Sequence, residues 1–226
     1  MNQDTARDRP ARDKLLQAAA ELFYAQGLAA TGIDAITARA GVAKKSLYNN
    51  FASKDALVLA YIRERHQEWL GLHARRAAKA ETPQQRVLAV FDAYIDHANA
   101  AYIHGFRGCG LLNAAAELPA GAPGRAAVRE HKEQVEQLLG AALIDAAGAG
   151  QANELAEQLA FILEGAVARA GLEGSDRRLV QARAMAAQIL ATPPQADPPP
   201  ATLPQADLPP AAASTNTPAA TGPAPE

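Results

Sequence analysis

Between Gly27 and Leu57 the chain reads GLAATGIDAITARAGVAKKSLYNNFASKDAL, the stretch that most restricts what it can become. Two short helical patterns, Ile33 to Ala40 and about Lys44 to Phe51, flank Ala40-Gly41-Val42. That turn can be tight because glycine tolerates positive φ. Thr31 reads as the N-cap of the first short helix, with Asp34 three residues on in a capping-box arrangement. Both helices must pack on a preceding one, and Ile33, Ile36, Ala40, Val42, Leu47 and Phe51 supply the apolar contact. The N-terminal half of the second helix carries Lys44, Lys45, Ser46, Tyr48 and Asn49, polar groups of the kind a reading helix presents to the DNA major groove. From Ala35 to Lys54 there are four basic residues (Arg39, Lys44, Lys45, Lys54) and no acidic one, a local positive strip suited to phosphate. Helix starts at Thr31 and at Ser53-Lys54 can also aim backbone N–H groups at phosphates. Taken singly, the lysine pair could be a solvated face and Tyr48 a core residue. The combination of helix, turn, basic helix and aromatic stop is far more specific than any one part.

At these residues the chain resembles the TetR family. The resemblance lies in Ala40-Gly41-Val42-Ala43-Lys44-Lys45-Ser46-Leu47-Tyr48-Asn49-Asn50-Phe51, in Ser53-Lys54-Asp55-Ala56-Leu57, and in Thr31-Gly32-Ile33-Asp34 ahead of them. It covers about residues 11 to 60. It implies a nine-helix protomer, an obligate dimer and a palindromic double-stranded DNA operator, with Thr31, the third-helix residues (Lys44, Lys45, Ser46, Tyr48, Asn49) and Lys54 contacting DNA. Two positions depart from the pattern. Ala43 stands where many members have serine, and alanine cannot cap the reading helix, at a local cost of about 1 kcal/mol. Asn50 replaces a commonly basic or histidine position.

The remainder reads as helices with short breaks, and no segment alternates as a strand does, so the expected class is all-α with about nine helices. The first helix runs from about Ala11 to Gln26 and Gly27 stops it. Ser53 caps a long helix from Lys54 to about Lys79. Thr82-Pro83-Gln84-Gln85 is a start signal, and the helix it opens carries Val87, Phe91, Tyr94, Ile95, Ala98 and Tyr102 at core spacing. Further helices are expected at Leu111–Leu118, Gly124–Ala147, Asn153–Ala170 and Ser175–Ala191. From Thr192 the chain is rich in proline and alanine, with an imperfect repeat of Pro-Gln-Ala-Asp at 194 and 204, and reads as a disordered tail. The expected organisation is a flexible arm over 1–10, a helix-turn-helix domain over 11–56, a ligand-binding and dimerisation domain over 57–191, and the tail over 192–226.

Net charge is −2, so any DNA contact must come from local charge and not from the chain as a whole. One cysteine, Cys109, excludes an internal disulfide and a thiolate-cluster metal site, and fits a reducing cytoplasm. The polar N-terminus has no apolar signal region, and charges interrupt every apolar run, so a cytoplasmic protein without membrane contact is expected. No cofactor and no metal are expected.

In the body, apolar stripes on the last two helices (about 153–191) point to pairing with a second copy, into the four-helix bundle that the resemblance implies, or to core within one chain. The segment Phe106-Arg107-Gly108-Cys109-Gly110-Leu111-Leu112-Asn113 resembles the Gly-Cys segment of the LmrA- and YxaF-like subgroup. Cys109 reads as a small buried hydrophobe or as a helix-start thiolate. His131, in step with Val128 and Val135, reads as a satisfied core histidine, a polar anchor in a ligand cavity, or a metal ligand, in that order. Trp69, His97, Phe106, Cys109, Asn113, His131 and Phe161 are the candidate contacts for a small-molecule effector, whose pocket follows from the resemblance.

The expected function is thus a one-component regulator, most simply a repressor released by its effector. The rivals are a helical binding protein with a vestigial helix-turn-helix, and an enzyme. No paired carboxylates, Ser/His/Asp set or phosphate loop appears. His131 with Cys109 is the one conceivable dyad, and nothing in the sequence places the two together.

Overall fold

Helix starts and stops set the architecture. In this computed structural model residues 4–100 and 105–191 are described, with side chains from residue 10 onward. Among them the chain forms helices α1 (Asp4–Gln26), α2 (Ile33–Ala40), α3 (Lys44–Asn50), α4 (Lys54–Ala77), α5 (Pro83–Ala98), α6 (Gly110–Ala116), α7 (Pro123–Ala147), α8 (Ala149–Glu173) and α9 (Arg177–Ala191), and no strand. All lie within the unit spanning Met1–Pro193. The expected tail and Tyr102 lie outside the described residues.

Local signals place most boundaries. Thr82 and Gln85 form the full capping box at the start of α5, and Ser53 Oγ accepts the N–H of Ala56 to cap α4. Gly41 closes α2 at φ 66°, and Ala43 precedes α3 with no side-chain cap. α1 begins at Asp4, not Ala11, and runs through Pro10, so most of the expected flexible arm is helix. One proline removes a single hydrogen bond, and the chain around it continues the turn.

The N-terminal three helices bury Leu15, Ala19, Phe23, Ile36, Leu47 and Phe51 among one another. α5 runs through the middle of the body between α4, α7 and α9, with Val87, Val90, Phe91, Ala93 and Tyr94 almost inaccessible. Its outer carboxylates are anchored: Asp96 by Arg76 of α4, and Asp92 by Arg183 of α9 at 2.6 Å. α8 and α9 pack on each other yet leave Phe161, Leu172, Val180 and Met185 exposed.

Candidate nucleic-acid interface and internal cavity

α3 presents one open face. Lys44, Lys45, Tyr48 and Asn49 are exposed, Ser46 is half-buried, and Leu47 points into the core. Those exposed positions fall on one side of a helix, as the period of 3.6 requires. Tyr48 is 50% exposed, so it is not the core residue its aromatic character allowed.

The positive strip is partly neutralised by residues distant in sequence. Arg39 pairs with Glu21 of α1 at 2.6 Å, and Lys44 pairs with Asp34 of α2 at 2.8 Å. Lys54 donates from Nζ to the carbonyl of Leu28 at 2.6 Å. Lys45 carries no such pairing among the described residues. Surface pairs such as Lys44–Asp34 are weak and exchange readily for phosphate.

Thr31 does not act as the expected cap. Gly32 occupies the N-cap position of α2 and no side chain caps it. Thr31 is completely buried, and its hydroxyl donates to the carbonyl of Gly27 at 2.6 Å, with that of Leu22 at 3.3 Å. Packing of the α1–α2 turn against α1 turned the hydroxyl inward, which leaves it no open path to a duplex. Gly27 itself sits at φ 89°, and a Cβ there would come 2.6 Å from Glu117 Oε1, so only glycine fits.

Four of the seven expected effector contacts converge. Trp69, His97, Cys109 and His131 line one cavity together with Arg65 and Tyr94. It measures about 20 Å³, room for about one water. Phe106 borders it through an edge contact with His97, centroids 6.2 Å apart. Asn113 is exposed and donates to the carbonyl of Arg107, and Phe161 is 69% exposed on α8, so neither reaches the cavity. Both face outward because their helices turn other positions to the core. A larger apolar hollow of about 230 Å³ opens beside the first turn of α4, walled by Val58, Leu59, Leu118 and Pro123, and no expected contact lies on it.

Polar side chains on and behind the cavity wall are closely knit. His131 Nδ1 lies 2.9 Å from Nδ1 of His66, and its Nε2 lies 3.5 Å from the Tyr94 hydroxyl. Lys132 donates to Tyr94 Oη at 3.3 Å and pairs with Glu164 of α8 at 2.7 Å. Burial pushes His131 down to about 3, helped by the positive charge of Lys132 and by His66 and His97. Burial, then Arg65 and Lys132, pushes His97 down to about 4. Both rings are neutral at pH 7. Trp69 stacks on His73, and among the described residues its Nε1 is the buried side-chain polar atom without a hydrogen-bond partner. Cys109 is buried. No three His, Cys, Asp or Glu side chains of the described residues come together as a metal site.

Sequence reasoning missed Arg65 and Tyr94 as cavity residues, and His66 as the partner behind His131. Spacing held the signal: Ile62, His66, Trp69 and His73 recur at three to four residues along α4, one inward stripe.

Comparison with known proteins agrees with this geometry. Residues 15–61 match the family described as "Bacterial regulatory proteins, tetR family", and residues 83–186 match "Tetracyclin repressor-like, C-terminal domain". The chain is 42% identical over 86 residues to the HTH-type transcriptional activator FasR of Mycolicibacterium smegmatis, covering 38% of this chain and 39% of that protein. It is 34% identical over 96 residues to the HTH-type transcriptional repressor KstR2 of the same species, covering 41% and 46%. The matches thus span less than half the length of either curated relative. The crystal structure of SCO4454, a TetR-family transcriptional regulator from Streptomyces coelicolor, superposes with a TM-score of 0.73 at 30% identity, over 80% of this chain and 94% of that one.

Proposed function

Because the chain belongs to the TetR family of bacterial transcription regulators, which are not enzymes, we propose that it is a repressor that binds a palindromic operator as a homodimer and is released by a small effector. The observation that carries this reading is the open α3 face of Lys44, Lys45, Tyr48 and Asn49. One such helix reads a half-site, so two copies must set their reading heads about 34 Å apart to enter successive major grooves. Lys54, tied to the turn before α2, can exchange its carbonyl partner for phosphate. The buried Thr31 supports the reading head from within.

Dimerisation falls to α8 and α9, about residues 153–191, where Phe161, Leu172, Val180 and Met185 form an uncovered apolar surface. Phe161 thereby moves from effector contact to dimer contact. The effector site is the cavity lined by Trp69, His97, Cys109 and His131, with Phe106 at its border. The unpaired indole N–H of Trp69 offers a donor to an acceptor atom of the effector. Asn113 does not belong to that site. Gly108-Cys109-Gly110 supports membership of the LmrA- and YxaF-like subgroup. Function in the cytoplasm follows from the partner; no described helix is long and apolar enough to cross a membrane.

A second reading, activation, has an observation in its favour: the match to FasR, an activator, is higher in identity than that to the repressor KstR2. One experiment separates them. Genomic fragments bound at a stated salt concentration are selected and footprinted, and transcription from the recovered promoter is measured with and without the protein. Repression predicts a two-fold symmetric footprint over the promoter and less transcript. More transcript means activation. No preferred fragment over competitor DNA removes the regulator reading for this chain.

A further inference from the structure

We propose that the two adjacent lysines of α3 do different jobs and that Asp34 divides them: it holds Lys44 back from phosphate and aims it at a base edge, while Lys45 takes the phosphate. Asp34 is thus a positioning residue for sequence specificity. This rests on the chain binding an operator through α3.

From Ala35 to Lys54 the chain carries four cations and no carboxylate, and Asp34 and Asp55 bound that stretch. The fold compensates two of the four. Glu21 pairs with Arg39 at 2.6 Å, and Asp34 Oδ1 lies 2.8 Å from Lys44 Nζ. The Lys44 ammonium is held above its ordinary range, first by that hydrogen bond and then by the charge of the carboxylate. Lys54 donates to a carbonyl, which leaves its charge intact. The Lys45 side chain is exposed and has no pairing among the described residues. Two neighbours in sequence thus face a duplex in different electrostatic states.

Affinity that ignores sequence comes from cations that displace counterions from phosphate. A lysine already matched by a carboxylate displaces none on net. The Lys44–Asp34 pair is weak enough to open. Yet a Lys44 that moves to a phosphate leaves Asp34, exposed on the first turn of α2, unpaired beside a row of like charges. That repulsion cancels much of the gain. A base edge demands no such exchange. Ala43 is the N-cap of α3, so Lys44 is its first residue, and the N-terminal residues of a reading helix meet base edges. An ammonium has three donors. One stays on Asp34, and the others can reach the N7 and O6 acceptors that guanine shows in the major groove. A side chain already held also loses less freedom on binding. Lys45, about 100° further round the helix, leaves no carboxylate behind when it meets a phosphate.

The test measures affinity for the selected operator and for a competitor duplex of unrelated sequence, over a series of salt concentrations. Wild type is compared with Asp34→Asn, and Asp55→Asn is the control. Asp55 is an exposed carboxylate at the other end of the same stretch, with no cation paired to it among the described residues. Both changes are on the surface, so helix content by circular dichroism should stay that of the wild type. In Asp34→Asn the freed Lys44 is expected to raise competitor affinity about tenfold at about 0.1 M salt, and to steepen the slope of log affinity against log salt by about 1 per protomer. Operator affinity should rise less than about twofold, so the operator-to-competitor ratio falls about fivefold or more. Asp55→Asn should raise both affinities alike and keep the ratio within about twofold of wild type. Lys44→Gln should lower operator affinity about tenfold or more with little change in salt slope. Asp34→Asn added to it should change the ratio no further. An Asp34→Asn protein with the slope and ratio of the wild type overturns the proposal. An equal fall of the ratio in Asp55→Asn overturns it too, by making Asp34 one charge among several. So does a slope that drops by about 1 in Lys44→Gln, which puts Lys44 on a phosphate. In each of these cases operator binding stands. A wild type that prefers no fragment removes the regulator reading and this assignment with it.

Discussion

His66 and His131 meet Nδ1 to Nδ1 at 2.9 Å, so one ring donates, the other accepts, and the two cannot both carry a proton there. His131 lines the cavity, and its burial makes the body sensitive to acid. His131 is pushed down to about 3 and His97 to about 4, in each case by burial first. In the unfolded chain both protonate near 6.5. Below that pH the unfolded state binds protons that the fold refuses, so stability is full above about pH 7 and is lost as pH falls toward 4. Between pH 7 and pH 5 each histidine contributes a loss of about 2 kcal/mol. Urea unfolding at both pH values checks this: His131→Gln, which does not titrate, should lose about 2 kcal/mol less than the wild type. Equal losses would mean that His131 keeps its ordinary affinity for protons in the fold.

Thr31→Val tests whether that residue acts inside the domain or on DNA. The change leaves the Gly27 carbonyl without its buried donor, and a cost of about 1–3 kcal/mol in unfolding free energy is expected. Operator affinity of the folded variant should move less than that of Lys45→Ala. A large loss of affinity at unchanged stability would place the Thr31 hydroxyl on a phosphate instead.

On the α3 face, lysine and tyrosine should fail in different ways. Lys45→Ala removes a cation with no intramolecular pairing among the described residues. It should weaken operator and competitor DNA alike and lower the slope of log affinity against log salt by about 1. Tyr48→Ala should cost about 1–3 kcal/mol on the operator and little on competitor DNA, because an exposed ring on the reading face discriminates bases. Titrations at several salt concentrations separate the two, and an unchanged salt slope for Lys45→Ala would take it off the phosphates.

Phe161→Glu addresses the dimer. The side chain is 69% exposed, so the substitution should leave the protomer's helix content unchanged. If the ring is covered by a second copy, an unpaired carboxylate there costs several kcal/mol and weakens association by about 100-fold or more. Sedimentation should then show protomers at concentrations where the wild type is dimeric. Leu172→Glu, at 85% exposure, should behave alike. Wild-type sedimentation by both variants would move the interface off this face of α8.

The open face of α3 was legible in the sequence, since Lys44, Lys45, Tyr48 and Asn49 share a helix side by spacing alone. The cavity was half legible. Trp69, His97, Cys109 and His131 converge, although a pocket was implied by the resemblance alone, whereas Asn113 and Phe161 point away. A periodic pattern says that a helix has an inner face. It does not say which neighbour that face meets, and an apolar stripe bound for a second copy looks the same as one bound for the core.

Order along the chain was enough to determine which stretches are helical and most of the breaks, though not the starts of α1 and α8. The capping box at Thr82, the cap at Ser53 and the left-handed turn at Gly41 act within about one helical turn of themselves. Tertiary structure alone decided which charges stayed open and what the breaks were for. Glu21 reached Arg39 across 18 positions, and Glu117 reached the Leu28 peptide across 89. Such contacts depend on how helices cross, and that is settled by the packing of the whole core rather than by any stretch of residues.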